Sequence, residues 1–352
     1  MLSMRNYVNK LAGSTQCLWY ALILICCVSS CKHKNVPDVS HIAVNVQIDR
    51  FDHALFKLDT NNIQPGLQQL AKAYPAFLPA YIEHIMNFGP YADTSKMILL
   101  QTRMLVGNSD YRVLQDSINA HFPKLDALEK DLAQSFRYIK YYIPSFRLPQ
   151  RIVTFSSVIS NYGAVTVDSV LGIGLDMYLG KDFPIYPMLP DYPMYMIRKF
   201  SPEYLTTNCI QVLVQQKYPG ADAGEQLINQ LVSAGKQQYF LEQVLPETED
   251  SIRLGYTKEQ MEWCNDNELM IWQYFVQQNL LYKSDWQSNM HFMNDGPSTQ
   301  GMPEGAPGRI GPFVGWRIVK EYMQQHPEVT LQQLMENKNA MQIFSQSKYR
   351  PR

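Results

Sequence analysis

Between Cys17 and Cys27 the chain runs Cys-Leu-Trp-Tyr-Ala-Leu-Ile-Leu-Ile-Cys-Cys without a single charge. Eleven residues cannot span the ~30 Å hydrocarbon core as a helix, and no later apolar run approaches the roughly 18 residues that would. Arg5 and Lys10 precede it, so the segment reads as the charged and apolar regions of a signal peptide rather than an anchor helix. Whatever folds here must therefore fold in water, beyond residue 30. Of the 352 residues, 46% are hydrophobic and 18% charged, which excludes disordered, collagen-like and fibrous readings. Lys+Arg total 31 against 32 for Asp+Glu, so no basic field exists to hold nucleic acid.

The apolar run ends in Val28-Ser29-Ser30-Cys31, which resembles the lipobox of bacterial lipoproteins. Cleavage before Cys31 and acylation of its thiol would leave a water-soluble domain held at a membrane by N-terminal acyl chains. The expected organisation is a leader over 1–30, a polar tether over 31–40 and one globular domain over 41–352. Losing the leader removes two basic residues and no acidic ones, leaving 29 against 32. Lys32 stands where some bacteria use Asp to retain lipoproteins in the inner membrane, and residues 32–35 lack an acidic export run. The periplasmic face of the outer membrane is the expected location. Only Cys209 and Cys264 remain in the mature chain, both on apolar helical stretches, and two buried free thiols are expected.

His41 to Phe51 alternates Ile42, Val44, Val46 and Ile48 on one face, predicting a half-buried strand. Helices are predicted over 64–87 (broken by Pro75 and Pro79), over 93–106 with Thr94 or Ser95 as cap, and over 110–120 and 124–142. Runs 151–160 and 164–172 are β-branched and flank Asn161-Tyr162-Gly163, predicting a hairpin. Five helices follow, over 202–216, 224–245, 257–281, 308–326 and 330–344, with caps at Ser201 and at Thr257, where Gln260 would complete a capping box. The fold class is α+β, predominantly helical, with a small antiparallel sheet embedded among helices.

The exit of that hairpin, Gly174-Leu175-Asp176-Met177-Tyr178-Leu179-Gly180, belongs to a longer series of short motifs. Ala234-Gly235-Lys236-Gln237-Gln238-Tyr239-Phe240, Leu254-Gly255-Tyr256-Thr257 and Asn267-Glu268 with Ile271-Trp272 follow. Pro307-Gly308-Arg309-Ile310-Gly311 then precedes Val314-Gly315-Trp316-Arg317-Ile318-Val319. In this order, behind a lipobox, they resemble the gliding-motility lipoprotein GldB family of Bacteroidota across nearly the whole mature chain. The resemblance implies a lipid-anchored envelope protein needed for gliding and type 9 secretion, whose partners are other proteins of that machinery. It implies no defined enzymatic activity and no cofactor. The family is in turn similar to zincin-type predicted peptidases, in which two histidines four apart on a helix bind zinc and leave a position for water. Here the seven histidines are 33, 41, 53, 84, 121, 291 and 326, no two four apart, and the helix over 202–216 has none. A peptidase-like scaffold without its metal, and no catalytic residue, is the reading drawn.

Three polar residues stand out as candidates for a cleft or binding site. Asp176 lies beyond a predicted strand beside several tyrosines; it is either presented at a cleft or a buried acid that pairs with an Arg or accepts backbone N–H bonds. Glu268 falls where a third metal ligand would lie, but is expected to be a hydrogen-bonded structural acid. Arg309, at a glycine-flanked helix start, suits either an anion or close packing. The rival readings are a divergent hydrolase around Asp176, Glu268 and Arg309, and a glycan-binding module using Tyr186, Tyr192 and Tyr195.

Overall fold

A computed structural model of the chain describes residues 36–92 and 94–351. The leader, Cys31 and the first half of the tether lie outside them. Residues Val39–Arg352 form one compact unit. Its elements are β1 (Ile48–Arg50), α1 (Phe51–Phe56), α2 (Ile63–Ala73) and α3 (Phe77–Ala80), which widens into a π turn over Tyr81–Ile85, then α4 (Lys96–Gly107), α5 (Ser109–His121) and α6 (Asp126–Tyr142). The strands β2 (Arg151–Phe155), β3 (Ala164–Val167) and β4 (Val170–Gly174) follow. The remainder is helical: α7 (Met194–Ile197), α8 (Leu205–Lys217), α9 (Leu227–Val244), α10 (Asp250–Leu254), α11 (Lys258–Asp266), α12 (Glu268–Gln277), α13 (Trp286–Met293), α14 (Ile310–Gln325), α15 (Leu331–Glu336) and α16 (Ala340–Ser347). The class is the expected one, a predominantly helical α+β fold.

The sheet itself departs from expectation. Its order is β1-β2-β4-β3, with β1–β2 and β2–β4 parallel and only β3–β4 antiparallel. The hairpin turns at Asp168-Ser169, not at Asn161-Tyr162-Gly163: residues 164–172, read as one strand, hold both arms, with Val167 facing Val170. Parallel strands covered on both faces are apolar throughout. Val153, Phe155 and Val170 join Phe51, Phe77 and Tyr81 in one core. Ile152, Leu171 and Ile173 join the larger core built from α6, α8, α9 and α14.

The predicted strand over 41–51 shortens to three residues because β2 offers no ladder partner before Ile48. Upstream, side chains of α6 replace the ladder. Arg137 donates to the Ile42 carbonyl (3.2 Å) and Glu129 accepts from the Ile48 N–H (2.9 Å). The chain then turns directly into α1, where Asp52 is fully buried. Its carboxylate accepts from Arg50 Nη2 (2.7 Å), Gln115 Nε2 (2.8 Å) and Thr154 Oγ1 (2.5 Å). Burial alone would raise this acid, but the Arg50 guanidinium and the two neutral donors hold it below its ordinary value. A carboxyl depressed in the folded state stabilises fully above its unfolded value near ~4, and that stability is lost as pH falls through the lower folded value. Urea midpoints below about pH 4 are therefore expected to fall more steeply for wild type than for Asp52→Asn, whose own midpoint is lower at neutral pH. Parallel pH profiles would contradict this assignment.

Helices α9 and α14 make the most extensive helix pair among the described residues. They cross through two glycines. A β-carbon on Gly235 would lie 2.1 Å from the Gly315 carbonyl oxygen, and one on Gly315 would lie 1.8 Å from that of Leu231. Beside the crossing, buried Glu242 accepts from Trp316 Nε1 (2.8 Å) and pairs with Lys320 (3.1 Å). Thr257 and Gln260 form the predicted capping box, and Ser95 caps α4. Ser201 makes no side-chain cap. The predicted helix over 257–281 breaks at Asn267, whose amide donates to the Trp263 carbonyl (2.8 Å).

Candidate functional site

The residue after β4 enters a 3-10 turn over Leu175–Met177, and there Asp176 is completely buried. It is not presented to any cleft. Its carboxylate accepts from the Ser157 N–H (2.9 Å), Ser157 Oγ (2.8 Å) and the Ile159 N–H (2.6 Å), so it holds the loop that leaves β2. Burial pushes the carboxyl up, and these donors pull it part of the way back. Tyr186 is buried beneath the same turn; its hydroxyl donates to the Asp176 carbonyl (2.6 Å) and accepts from the Leu179 N–H (3.0 Å). The Tyr192 hydroxyl donates to the Ile159 carbonyl (2.8 Å). Two of the three tyrosines proposed to stack on a glycan are thus engaged in holding loops.

Glu268, first residue of α12, accepts from Arg317 Nε (2.8 Å) and the Tyr349 hydroxyl (2.7 Å), while its second oxygen meets Arg317 Nη2 at 2.5 Å. This bidentate pair ties α12 and α14 to the C-terminal residues, a structural acid as its sequence context suggested. Cys209 and Cys264 are buried free thiols, each pushed up by burial, Cys264 to about 12. No hydrogen bond or ion pair joins any two of Asp176, Glu268 and Arg309 among the described residues.

A cleft of about 690 Å³ does open beside the residues that follow Asp176, however, and Arg309 is on its wall. Met177 and Tyr178, which follow the buried acid, form one side. One face of α8 forms another, with buried Thr207, half-buried Asn208 and Gln211, and exposed Gln215 at helical spacing. Asn208 Nδ2 donates to the Tyr178 hydroxyl (3.0 Å), joining the two walls. Lys199, Gly255 and Asp295 close the cleft opposite. This α8 face carries amides and a hydroxyl, groups that recognise and orient, and it has no imidazole or carboxylate. Among the described residues no cluster of three His, Cys, Asp or Glu side chains is placed to hold a metal ion.

The electrostatics of the cleft are lopsided. Lys199 Nζ lies 2.6 Å from Asp295 Oδ2. Burial lowers the Lys199 ammonium, and although Asp295 offsets this, Arg309 and Arg198 add to the lowering. Burial works against Asp295 too, but Lys199, Arg309 and Arg198 together hold its carboxyl below the ordinary range. A second hollow of about 610 Å³, between α9 and α15, is lined by Lys217, Lys236 and Lys338; of these, Lys236 donates to the Met335 (3.3 Å) and Asn337 (2.7 Å) carbonyls. Its positive charge is consumed by a helix C-terminus. Only Arg309 of the cleft's charged residues was legible as a candidate; Lys199 and Asp295 sit in irregular segments 96 residues apart, and no periodicity marks them.

A family model described as gliding motility protein GldB matches residues 32–351. No curated protein and no solved structure matches the chain.

Proposed function

Since the chain belongs to the gliding motility protein GldB family, we propose that it is a lipid-anchored component of the gliding apparatus that works by recognition rather than by breaking bonds. The observation that carries this reading is the family match over almost the whole mature chain, taken with the chemistry of the cleft. Amides, a hydroxyl and cations line a preformed hollow, the equipment of a binding site. The anchor is Cys31, acylated after removal of residues 1–30, and no helix among the described residues is long and apolar enough to cross a membrane. The site of action is the cell envelope, at the periplasmic face of the outer membrane. The partners are other envelope proteins of gliding and of the associated type 9 secretion machinery.

Deleting the gene is expected to abolish colony spreading and to reduce export of type 9 cargo, with both restored by the wild-type gene and neither by Cys31→Ala. Normal gliding together with normal export in the deletion strain would overturn the assignment. Recognition is favoured over the hydrolase rival because Asp176 and Glu268 are engaged in separate structural networks, with Arg309 on the cleft wall.

A further inference from the structure

Three basic side chains converge on Gly255. Its φ is +74°, and it carries no side chain to fill the space above it. A β-carbon there would lie 3.4 Å from Lys199 Cδ and 3.9 Å from Arg309 Nη1. From beneath, Arg198 Nη2 donates to the Gly255 carbonyl at 2.6 Å, and Arg198 Nη1 is buried without a hydrogen-bond partner. Asp295 is the one carboxylate paired with this group. Three cations against one anion leave a surplus of about two positive charges in a partly desolvated hollow, a costly arrangement unless an anion completes it.

Arg309 sharpens the point. It is a non-glycine residue at φ +60°, a conformation that carries strain and persists only where the surroundings impose it. The imposing contact is the fully buried Tyr256, whose hydroxyl donates to the Arg309 carbonyl at 2.9 Å. Among the described residues no acceptor takes a hydrogen bond from the Arg309 guanidinium. The strain therefore places a half-buried, unpaired guanidinium on the cleft wall. The start of α14 follows it directly, with no acidic residue in the first turn to neutralise the helix dipole.

We propose that this cleft is a binding site for a phosphate group, seated above Gly255 between Lys199 and Arg309. A surplus near two charges suits a phosphoryl dianion better than a carboxylate, and an arginine fork beside a lysine is the usual pairing for phosphate. The hollow is larger than a bare ion, and Met177, Met196, Phe200 and Met293 give it apolar walls. The ligand is accordingly a phosphate monoester whose organic portion lies against these side chains, either a soluble ester or the headgroup of phosphatidic acid. Asp295 acts against the ligand and in favour of Lys199, and so tunes the site.

The inference rests on the cleft being the recognition surface of the gliding component, and the test separates the two. The full-length lipidated protein in neutral detergent is titrated calorimetrically with phenyl phosphate, inorganic phosphate, benzoate and monomeric dihexanoyl phosphatidic acid. Saturable one-site binding of phenyl phosphate is expected, weakened about tenfold or more in Lys199→Gln and in Arg309→Gln, and tightened in Asp295→Asn. That last variant gains affinity, which loss of folding cannot imitate. If phosphatidic acid binds with the same dependence on Lys199 and Arg309, the source is the lipid headgroup; if only phenyl phosphate and inorganic phosphate bind, it is a soluble ester. No saturable binding, benzoate binding as tightly as phenyl phosphate, or affinities indifferent to all three substitutions would overturn the site. Strains carrying Arg309→Gln report on the other question: normal gliding with phosphate binding lost would sink the recognition reading and leave the site standing.

Discussion

Replacing Gly315 with alanine is expected to destabilise the protein by about 3 kcal/mol or more, the upper end of what overpacking a core costs. The added methyl would occupy space 1.8 Å from the Leu231 carbonyl oxygen and 3.0 Å from the Gly235 amide nitrogen. These are backbone atoms of a helix, so no rotamer change relieves the clash. Helices α9 and α14 must move apart, and the buried bond from Trp316 to Glu242 opens with them. Thermal unfolding is expected to shift down by roughly 6 °C or more for a domain of this size. Gly235→Ala, 2.1 Å from the Gly315 carbonyl oxygen, is expected to behave alike. The double variant should cost less than the sum, because one separation of the helices accommodates both methyl groups. Gly224→Ala is the control: no atom lies within 4 Å of its β-carbon, and its melting point should stay near wild type. A Gly315→Ala protein melting with wild type would show that the crossing is not fixed by the glycine pair.

The second large effect belongs to Asp176→Ala, expected to cost about 4 kcal/mol. Three buried donors lose their acceptor at once, each worth about 1–3 kcal/mol when left unsatisfied. Two are backbone N–H groups of Ser157 and Ile159, and the loop they belong to is strained: Val158 and Ile159 sit at φ +57° and +58°. Branched side chains rarely adopt that region, and here the carboxylate holds them in it. Asp176→Asn keeps one acceptor oxygen and is expected to cost about half as much. Urea midpoints at neutral pH give both values, and hydrogen exchange at the Ile159 amide should accelerate with them. An alanine variant with the wild-type midpoint would mean that the loop holds itself.

Local features of this fold were readable in the sequence and non-local ones were not. The Thr257–Gln260 capping box, the Ser95 cap and the helix over 124–142 follow from spacing alone. Strand direction does not. Alternation over 164–172 continues through the turn, so nothing local separates β3 from β4, and the Gly-containing segment 161–163 is the more conspicuous turn. Parallel pairing of β1 with β2 joins residues 48 and 152, across six helices, and sequence pattern has no means to express it. The candidate site divides in the same way. Arg309 was visible because glycines flank it, whereas Lys199, Gly255 and Asp295 become neighbours only when three distant segments fold together. Asp176 was visible as an oddity among apolar residues, but its partners, two amides and a serine hydroxyl, carry no sequence signal.

The way the chain enters its folded unit has a mechanical consequence. If Cys31 is the membrane anchor proposed above, any external pull enters the folded unit through its N-terminal end. From residue 42 onward the path of that force is fastened at successive points: Ile42 to Arg137, Ile48 to Glu129, Ile48–Arg50 to β2, and Asp52 to Arg50, Gln115 and Thr154. Apart from the Arg50–Asp52 pair, each fastening reaches an element far along the chain, so tension at the end is spread over α5, α6 and the central strand instead of fraying one segment. Such an attachment resists being peeled, as the proposed mooring would require.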